Sequence, residues 1–187
     1  MFSLLILVIF YGIYFGKMYA QKQQGIQTRQ IGKRKEKNIR IIEKLMAIAT
    51  FVIVPVQIIS IILDYHMFNY TLRIIGIIIG LIGDILFLIA VLTMKDSWRA
   101  GIPDKDKTEM ITTGIYSISR NPAFVGFDLM YMGICLAYCN IMTIIFTLFA
   151  IIMLHFQILQ EEKFLTETFK DEYVIYKSKV CRYLGRK

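Results

Sequence analysis

Thr113-Gly114-Ile115-Tyr116-Ser117-Ile118-Ser119-Arg120-Asn121-Pro122-Ala123-Phe124-Val125-Gly126 marks the point where a polar segment turns into an apolar helix. Asn is a favoured N-cap, and Pro fits the first helical turn because its missing N–H has no intrahelical partner there. The spacing therefore predicts a helix start at Asn121-Pro122. Its first N–H groups and its partial positive charge suit an anionic ligand. Tyr116 and Arg120 stand just upstream, within hydrogen-bonding reach of whatever binds at that end.

Around this stretch the chain is far more apolar than a soluble domain. Of its 187 residues, 56% are hydrophobic and only 19% charged, and the mean hydropathy is +0.55. The apolar residues come in long blocks, so the expected class is all-α, an integral membrane helical bundle. Residues 1–16 lack a basic n-region and a small-residue cleavage site, and read as an uncleaved span. Residues 17–40, with Lys33-Arg34-Lys35-Glu36-Lys37, read as a basic connector at the membrane surface. Spans are expected at 41–63, with Pro55 inside, and at 70–94. Residues 123–138 and 141–159 form a helical hairpin turning at Asn140. The remainder is a charged C-terminal helix and a basic tail, with Phe164, Leu165, Phe169, Tyr173 and Tyr176 on one face.

The cations set the orientation. Segment 17–44 holds nine Lys and Arg, 95–122 five and the chain after 160 seven, which leaves only Arg73 of the 22. By the positive-inside rule this gives about five transmembrane helices, with the N-terminus outside and the C-terminal helix cytoplasmic. The expected location is a multi-pass position in the plasma membrane. The net charge of +8 follows from the same rule, with membrane lipids as neighbours and no nucleic-acid partner. We expect one membrane domain over 1–187, with three spans in 1–94 and the chemistry in 95–187.

Within the third span, Gly76-x-x-x-Gly80 allows another helix to approach closely, inside this bundle or in a second copy, so the oligomeric state stays open. Asp84 sits one turn beyond Gly80, either bonded to a neighbouring helix or lining a polar cavity. Two histidines and three cysteines supply too few ligands for a metal site, and no P-loop or dinucleotide fingerprint is present. His155-Phe156-Gln157-Ile158-Leu159-Gln160-Glu161-Glu162 is the second notable stretch, an acidic exit from the last span. The hairpin brings it beside the Asn-Pro start. A ligand carrying both a carboxylate and a cationic centre would suit the pair.

The run G-x-Y-x-x-x-R-N-P-x-F-x-G at 114–126, with Glu161-Glu162, Leu165, Phe169 and Asp171-Glu172-Tyr173-x-x-Tyr176, resembles the isoprenylcysteine carboxyl methyltransferase family. The wider group includes membrane phospholipid N-methyltransferases. The likeness begins at Trp98. It implies a membrane-embedded methyltransferase using S-adenosyl-L-methionine at the cytoplasmic face. Carried over by position, the cofactor contacts fall on Thr108, Glu109, Met110, Ile111, Tyr116, Asn121, Pro122, Ala123, Phe124 and Glu161.

Three positions depart from the carboxyl methyltransferases, which usually have His at Asn121, Tyr at Phe124 and a substrate-facing Arg at Gln157. A neutral amide cannot replace a guanidinium against a carboxylate, so the identity of the lipophilic acceptor is left open among prenylated cysteine, an aminophospholipid and a hydrophobic acid. Catalytic candidates are Arg120, Gln157, Asp128 and His155. An amine acceptor would need its proton removed, by His155 or by Asp128, which shares a face with Phe124, Tyr131 and Cys135. A sterol-reductase-like enzyme using NADPH would need a more basic site than Glu161-Glu162 provides. A non-catalytic membrane protein is the remaining alternative.

Overall fold

The computed structural model describes residues 2–31, 36–101 and 109–187. They form five helices: α1 (Phe2–Gln23), α2 (Lys37–Ile62), α3 (Tyr70–Met94), α4 (Pro122–Ala137) and α5 (Ile141–Lys179), with 3-10 turns at Lys95–Ser97 and Gly114–Ser117. The fold is all-α, as expected. Thr108 and Lys33–Lys35 of the charge run lie outside the described residues.

Four helices, α1, α2, α3 and α5, are long and apolar enough to cross a membrane. Their outer faces carry Leu5, Ile62, Leu92 and Leu148 at 51%, 67%, 63% and 55% exposure, a surface suited to lipid. At 16 residues α4 is about 24 Å long, short of the ~30 Å hydrocarbon thickness. The first helix runs to Gln23, deeper into the expected connector than residue 16. No boundary separates the last span from the charged helix either. Instead α5 continues for 39 residues and breaks its direction only at Lys170, at φ 46°.

Local chemistry sets the starts. Asn69 Oδ1 accepts from Leu72 N at 3.1 Å to cap α3. A capping box starts α5, with Asn140 Oδ1 accepting from Thr143 N and Thr143 Oγ1 from Asn140 N. At α4 the expectation holds only in position. Pro122 is in the first turn, but the Asn121 side chain makes no cap hydrogen bond, because its amide is drawn elsewhere.

The tightest packing joins α3 to α4. A Cβ at Gly76 would lie 2.5 Å from Gly133 O, and one at Gly83 would lie 2.6 Å from Met130 N. Gly80 accepts Ile6 of α1 on its other side. These glycines thus serve contacts inside one bundle. Phe10 stacks on Phe87 at 4.4 Å, and Phe127 meets both rings edge-on. Around this apolar centre, α1, α2, α4 and α5 leave a cavity.

Candidate functional site

The Asn-Pro helix start is held by α5 and the tail. Arg120 is buried and donates from Nη2 to Glu162 Oε1 at 2.7 Å, from Nε to the same oxygen at 3.1 Å, and from Nη1 to Val180 O at 2.7 Å. Asn121 Nδ2 donates to Glu162 Oε1 and to Arg182 O. Arg182 reaches the other carboxylate oxygen at 2.9 Å, and that hydrogen bond raises its guanidinium pKa. Glu162 is thus clamped between two guanidiniums. Tyr176 Oη donates to Tyr116 O at 2.6 Å, while the backbone of Arg120 donates to Cys181 O.

This corrects the reading of Arg120 as a donor waiting for a ligand. Its donors are spent on Glu162 and on carbonyls of the C-terminal segment, so it positions the helix start. The same network explains the missing cap at Asn121.

Glu161 and Glu162, adjacent in sequence, part company. Successive residues on a helix point about 100° apart. Glu162 therefore enters the clamp, and Glu161 turns to the cavity beside Gln157, whose Nε2 donates to Glu161 Oε1 at 3.0 Å. Gln157 Oε1 is buried without a partner among the described residues. An orphaned acceptor next to a carboxylate favours a cationic or hydrogen-bond-donating ligand.

The cavity beside them has a volume of about 610 Å³. Leu7, Val8, Phe51, Val54, Pro55 and Ile58 line its apolar part; Ala123, Phe124, Leu154, Gln157 and Glu161 form the wall by the Asn-Pro start; the exposed Arg29 and half-buried Arg99 lie at its edge, and the buried Trp98 completes the lining. The size and mostly apolar lining suit a small lipophilic molecule.

Of the expected site residues, the structure brings Ala123, Phe124, Gln157 and Glu161 together on this cavity. Asn121 and Pro122 are buried just behind it. Tyr116 is buried too, its phenol pKa raised by that burial and then by Tyr176 and Glu161. Met110 packs with Leu165, Phe169, Tyr173, Tyr176 and Val180, so the apolar face of the C-terminal helix folds against the loop. Ile111 is half-buried and Glu109 exposed.

Asp128 and His155 do not line the cavity. His155 Nδ1 and Tyr183 Oη share a hydrogen bond at 2.5 Å. Burial raises the Tyr183 phenol pKa, and the Asp128 carboxylate pushes the same way. His155 is therefore engaged with Tyr183, and Asp128 is buried with Oδ1 unpartnered among the described residues, away from the cavity that Phe124 lines. The shared helical face of Phe124 and Asp128 did not translate into a shared pocket. Asp84 is neither bonded nor cavity-lining: both its carboxylate oxygens are buried without a partner among the described residues. The three cysteines are free, and the described residues hold no cluster fit for a metal.

Sequence reasoning missed Arg182, Tyr183, Arg29 and Gln21. Gln21 is fully buried, with Oε1 accepting from Thr28 at 2.7 Å and Nε2 donating to Trp98 O at 3.2 Å. A glutamine at the end of an apolar run was the only signal for it.

The sequence profile of the phospholipid methyltransferase family matches residues 71–172, more than half of the chain, covering the Asn-Pro helix start and Gln157-Glu161. The chain belongs to the phospholipid methyltransferase family. It is 30% identical over 125 residues to the protein-S-isoprenylcysteine O-methyltransferase of Saccharomyces cerevisiae, covering 63% of this chain and 52% of the yeast protein. The probable protein-S-isoprenylcysteine O-methyltransferase of Oryza sativa subsp. indica is 32% identical over 120 residues, 63% of this chain and 61% of the rice protein. For the Xenopus laevis protein-S-isoprenylcysteine O-methyltransferase the figures are 30% over 112 residues, 58% and 39%. The chain spans about half the length of the curated relatives it matches.

Proposed function

We propose that this member of the phospholipid methyltransferase family is an S-adenosylmethionine-dependent membrane methyltransferase acting on a lipophilic acceptor, like the isoprenylcysteine O-methyltransferases it resembles. The observation that carries this reading is the cavity: an apolar chamber whose one wall ends in Gln157 and Glu161 beside the Asn-Pro helix start. The acceptor's hydrocarbon part lies among Leu7, Phe51 and Pro55, and its reacting end meets the polar wall.

The residues present fit the cofactor. The buried, unpartnered Gln157 Oε1 and the Glu161 carboxylate offer acceptors to a positive centre and an amino group. Ala123 and Phe124 supply packing, with Tyr116, Asn121 and Pro122 behind them. Met110, packed on the C-terminal helix, and its neighbours Glu109 and Ile111 are the loop residues proposed to contact the cofactor, as is Thr108. When bound, S-adenosylmethionine supplies an electrophilic methyl group. The chain holds the acceptor in line and excludes water, which accounts for much of the acceleration expected of a site without a nucleophile of its own. A carboxylate acceptor needs no base, and Asp128 and His155 are not placed to act as one in this cavity.

The arrangement of charges favours α4 as a fifth crossing, paired with the first limb of α5. The N-terminus then lies outside, and the clamp and Glu161 lie on the cytoplasmic side of the plasma membrane.

Calorimetric titration of S-adenosylhomocysteine into the detergent-purified protein tests the reading. Binding is expected, weakened at least about tenfold in Glu161→Ala through loss of a charge-assisted contact. The Glu162 clamp does not involve Glu161, so the variant keeps its fold. Binding of NADPH in place of S-adenosylhomocysteine would move the assignment to a reductase. A folded protein that binds neither is not a methyltransferase.

A further inference from the structure

The polar wall of the cavity can attract a cation but offers no charge to an anion: Gln157 is neutral and Glu161 is an acid. The cations that line the cavity are Arg29, from the segment after α1, and Arg99, from the segment after α3. Neither belongs to the helix start or to α5, which carry the rest of the proposed chemistry.

Both are held in place by backbone. Arg29 and Ala100 form an isolated parallel bridge, with Gln30 N donating to Ala100 O at 2.8 Å and Ala100 N to Thr28 O at 3.0 Å. Gln21 fastens the two segments together through Thr28 and Trp98. Gly101, at φ 93°, continues the join: a Cβ there would lie 2.8 Å from Ile31 N. Arg99 is oriented by Nη1, which donates to Trp98 O at 2.9 Å and to Asp96 O at 2.5 Å. The Arg29 side chain makes no hydrogen bond or ion pair among the described residues. A guanidinium without a hydrogen-bond partner among the described residues, on a segment fixed by that bridge at the edge of an apolar chamber, matches one kind of ligand. That ligand is an amphiphile with an anionic head and an apolar tail.

The depth of the chamber agrees. Met18, Trp98 and Leu7 all line the cavity. Along α1, Met18 and Leu7 are separated by about 16 Å at 1.5 Å per residue, room for an extended chain below a head group at the rim.

We propose that Arg29, with Arg99 beside it, is an anion-recognising rim that selects acceptors bearing a carboxylate or a phosphodiester. This rests on the reading of the cavity as the acceptor site, and it narrows the acceptor class. A neutral or purely cationic amphiphile gains nothing at this rim.

Trp98, the chain's single tryptophan, lines the cavity and reports binding. Dodecanoate and dodecyl methyl phosphate, a carboxylate and a phosphodiester, are titrated in neutral detergent against methyl dodecanoate and dodecylamine, following Trp98 emission. Wild type, Arg29→Gln and Arg29→Lys are compared; the ratio between proteins cancels partitioning into the micelle. The expected result is anion affinity about tenfold lower in Arg29→Gln, the worth of one charge-assisted hydrogen bond. Ester affinity is unchanged, and Arg29→Lys retains most of the preference. Loss confined to dodecanoate assigns a carboxylic acid acceptor; loss confined to the phosphodiester assigns a phospholipid. Equal binding of all four probes, or anion affinity unmoved by Arg29→Gln, overturns the rim while leaving the cavity as acceptor site. Binding of none of the four overturns both.

Discussion

Replacing Glu162 by alanine is expected to cost about 3–5 kcal/mol of stability, enough to lose much of the folded protein in detergent. The reason is the company the carboxylate keeps. Arg120 is buried at 8% exposure, and Glu162 neutralises it through two hydrogen bonds to one oxygen while Arg182 holds the other. Without the carboxylate, a buried guanidinium keeps only carbonyl partners, and Asn121 loses one acceptor as well. Arg182→Ala removes a contact from a partly exposed cation, so a loss of about 1 kcal/mol or less is expected. Thermal unfolding followed by circular dichroism checks the order of the two. The paired replacement Arg120→Met with Glu162→Leu should recover much of the loss, because no unpaired charge then remains. If Glu162→Ala melts with the wild type, the clamp is not what holds the helix start against α5.

Gly133→Val is expected to be the most damaging substitution within the apolar bundle. The Gly133 Cα faces Gly80 and Gly76 across the α3–α4 contact, and even a bare Cβ would lie 2.6 Å from Gly76 O. Both obstacles are backbone, so no side-chain rotation relieves them. The two helices must separate along their length, and the loss is expected to reach at least about 3 kcal/mol, the upper end for overpacking. The same change at Gly12 or Gly16 of α1, where a Cβ would have nothing within 4 Å, should be nearly neutral. Elution of monodisperse protein on size exclusion distinguishes the two outcomes. A well-behaved Gly133→Val protein would mean that the α3–α4 approach is looser than described.

Together the two predictions separate what builds the site from what uses it. The α3–α4 contact fixes where the Asn-Pro helix start stands, and the Glu162 clamp brings α5 against it. Gln157 and Glu161 are then presented to the cavity by a helix whose position is already set. That division explains why adjacent acids have unrelated tasks. It also moves Arg120 from a binding role to a positioning one.

Much of this was legible in the chain. Long apolar blocks can satisfy their backbone in a bilayer only as helices, so the class and the approximate helix positions follow from composition alone. Pro122 marked the start of α4 and Asn140 the start of α5. The small residues Gly76 and Gly80 announced a close helix contact, because only their missing side chains permit one. The two polar stretches that meet at the site were also identifiable, since polar residues stand out where an apolar run ends.

Which polar residues face each other was decided by the tertiary structure. A helical face shared by Phe124 and Asp128 is an angular relation within one helix, and the neighbouring elements determine what each residue meets: the cavity for Phe124, a buried position off the cavity for Asp128. Asn121 was a plausible cap by residue type, but a buried carboxylate competed for its amide and won. Arg29 and Arg99, 70 positions apart, came to one rim through a two-residue bridge that leaves no pattern in the sequence. Local periodicity and capping chemistry act within a few residues and so are written along the chain. Burial, ion pairing and cavity lining depend on distances across the bundle, and only the packed helices set those.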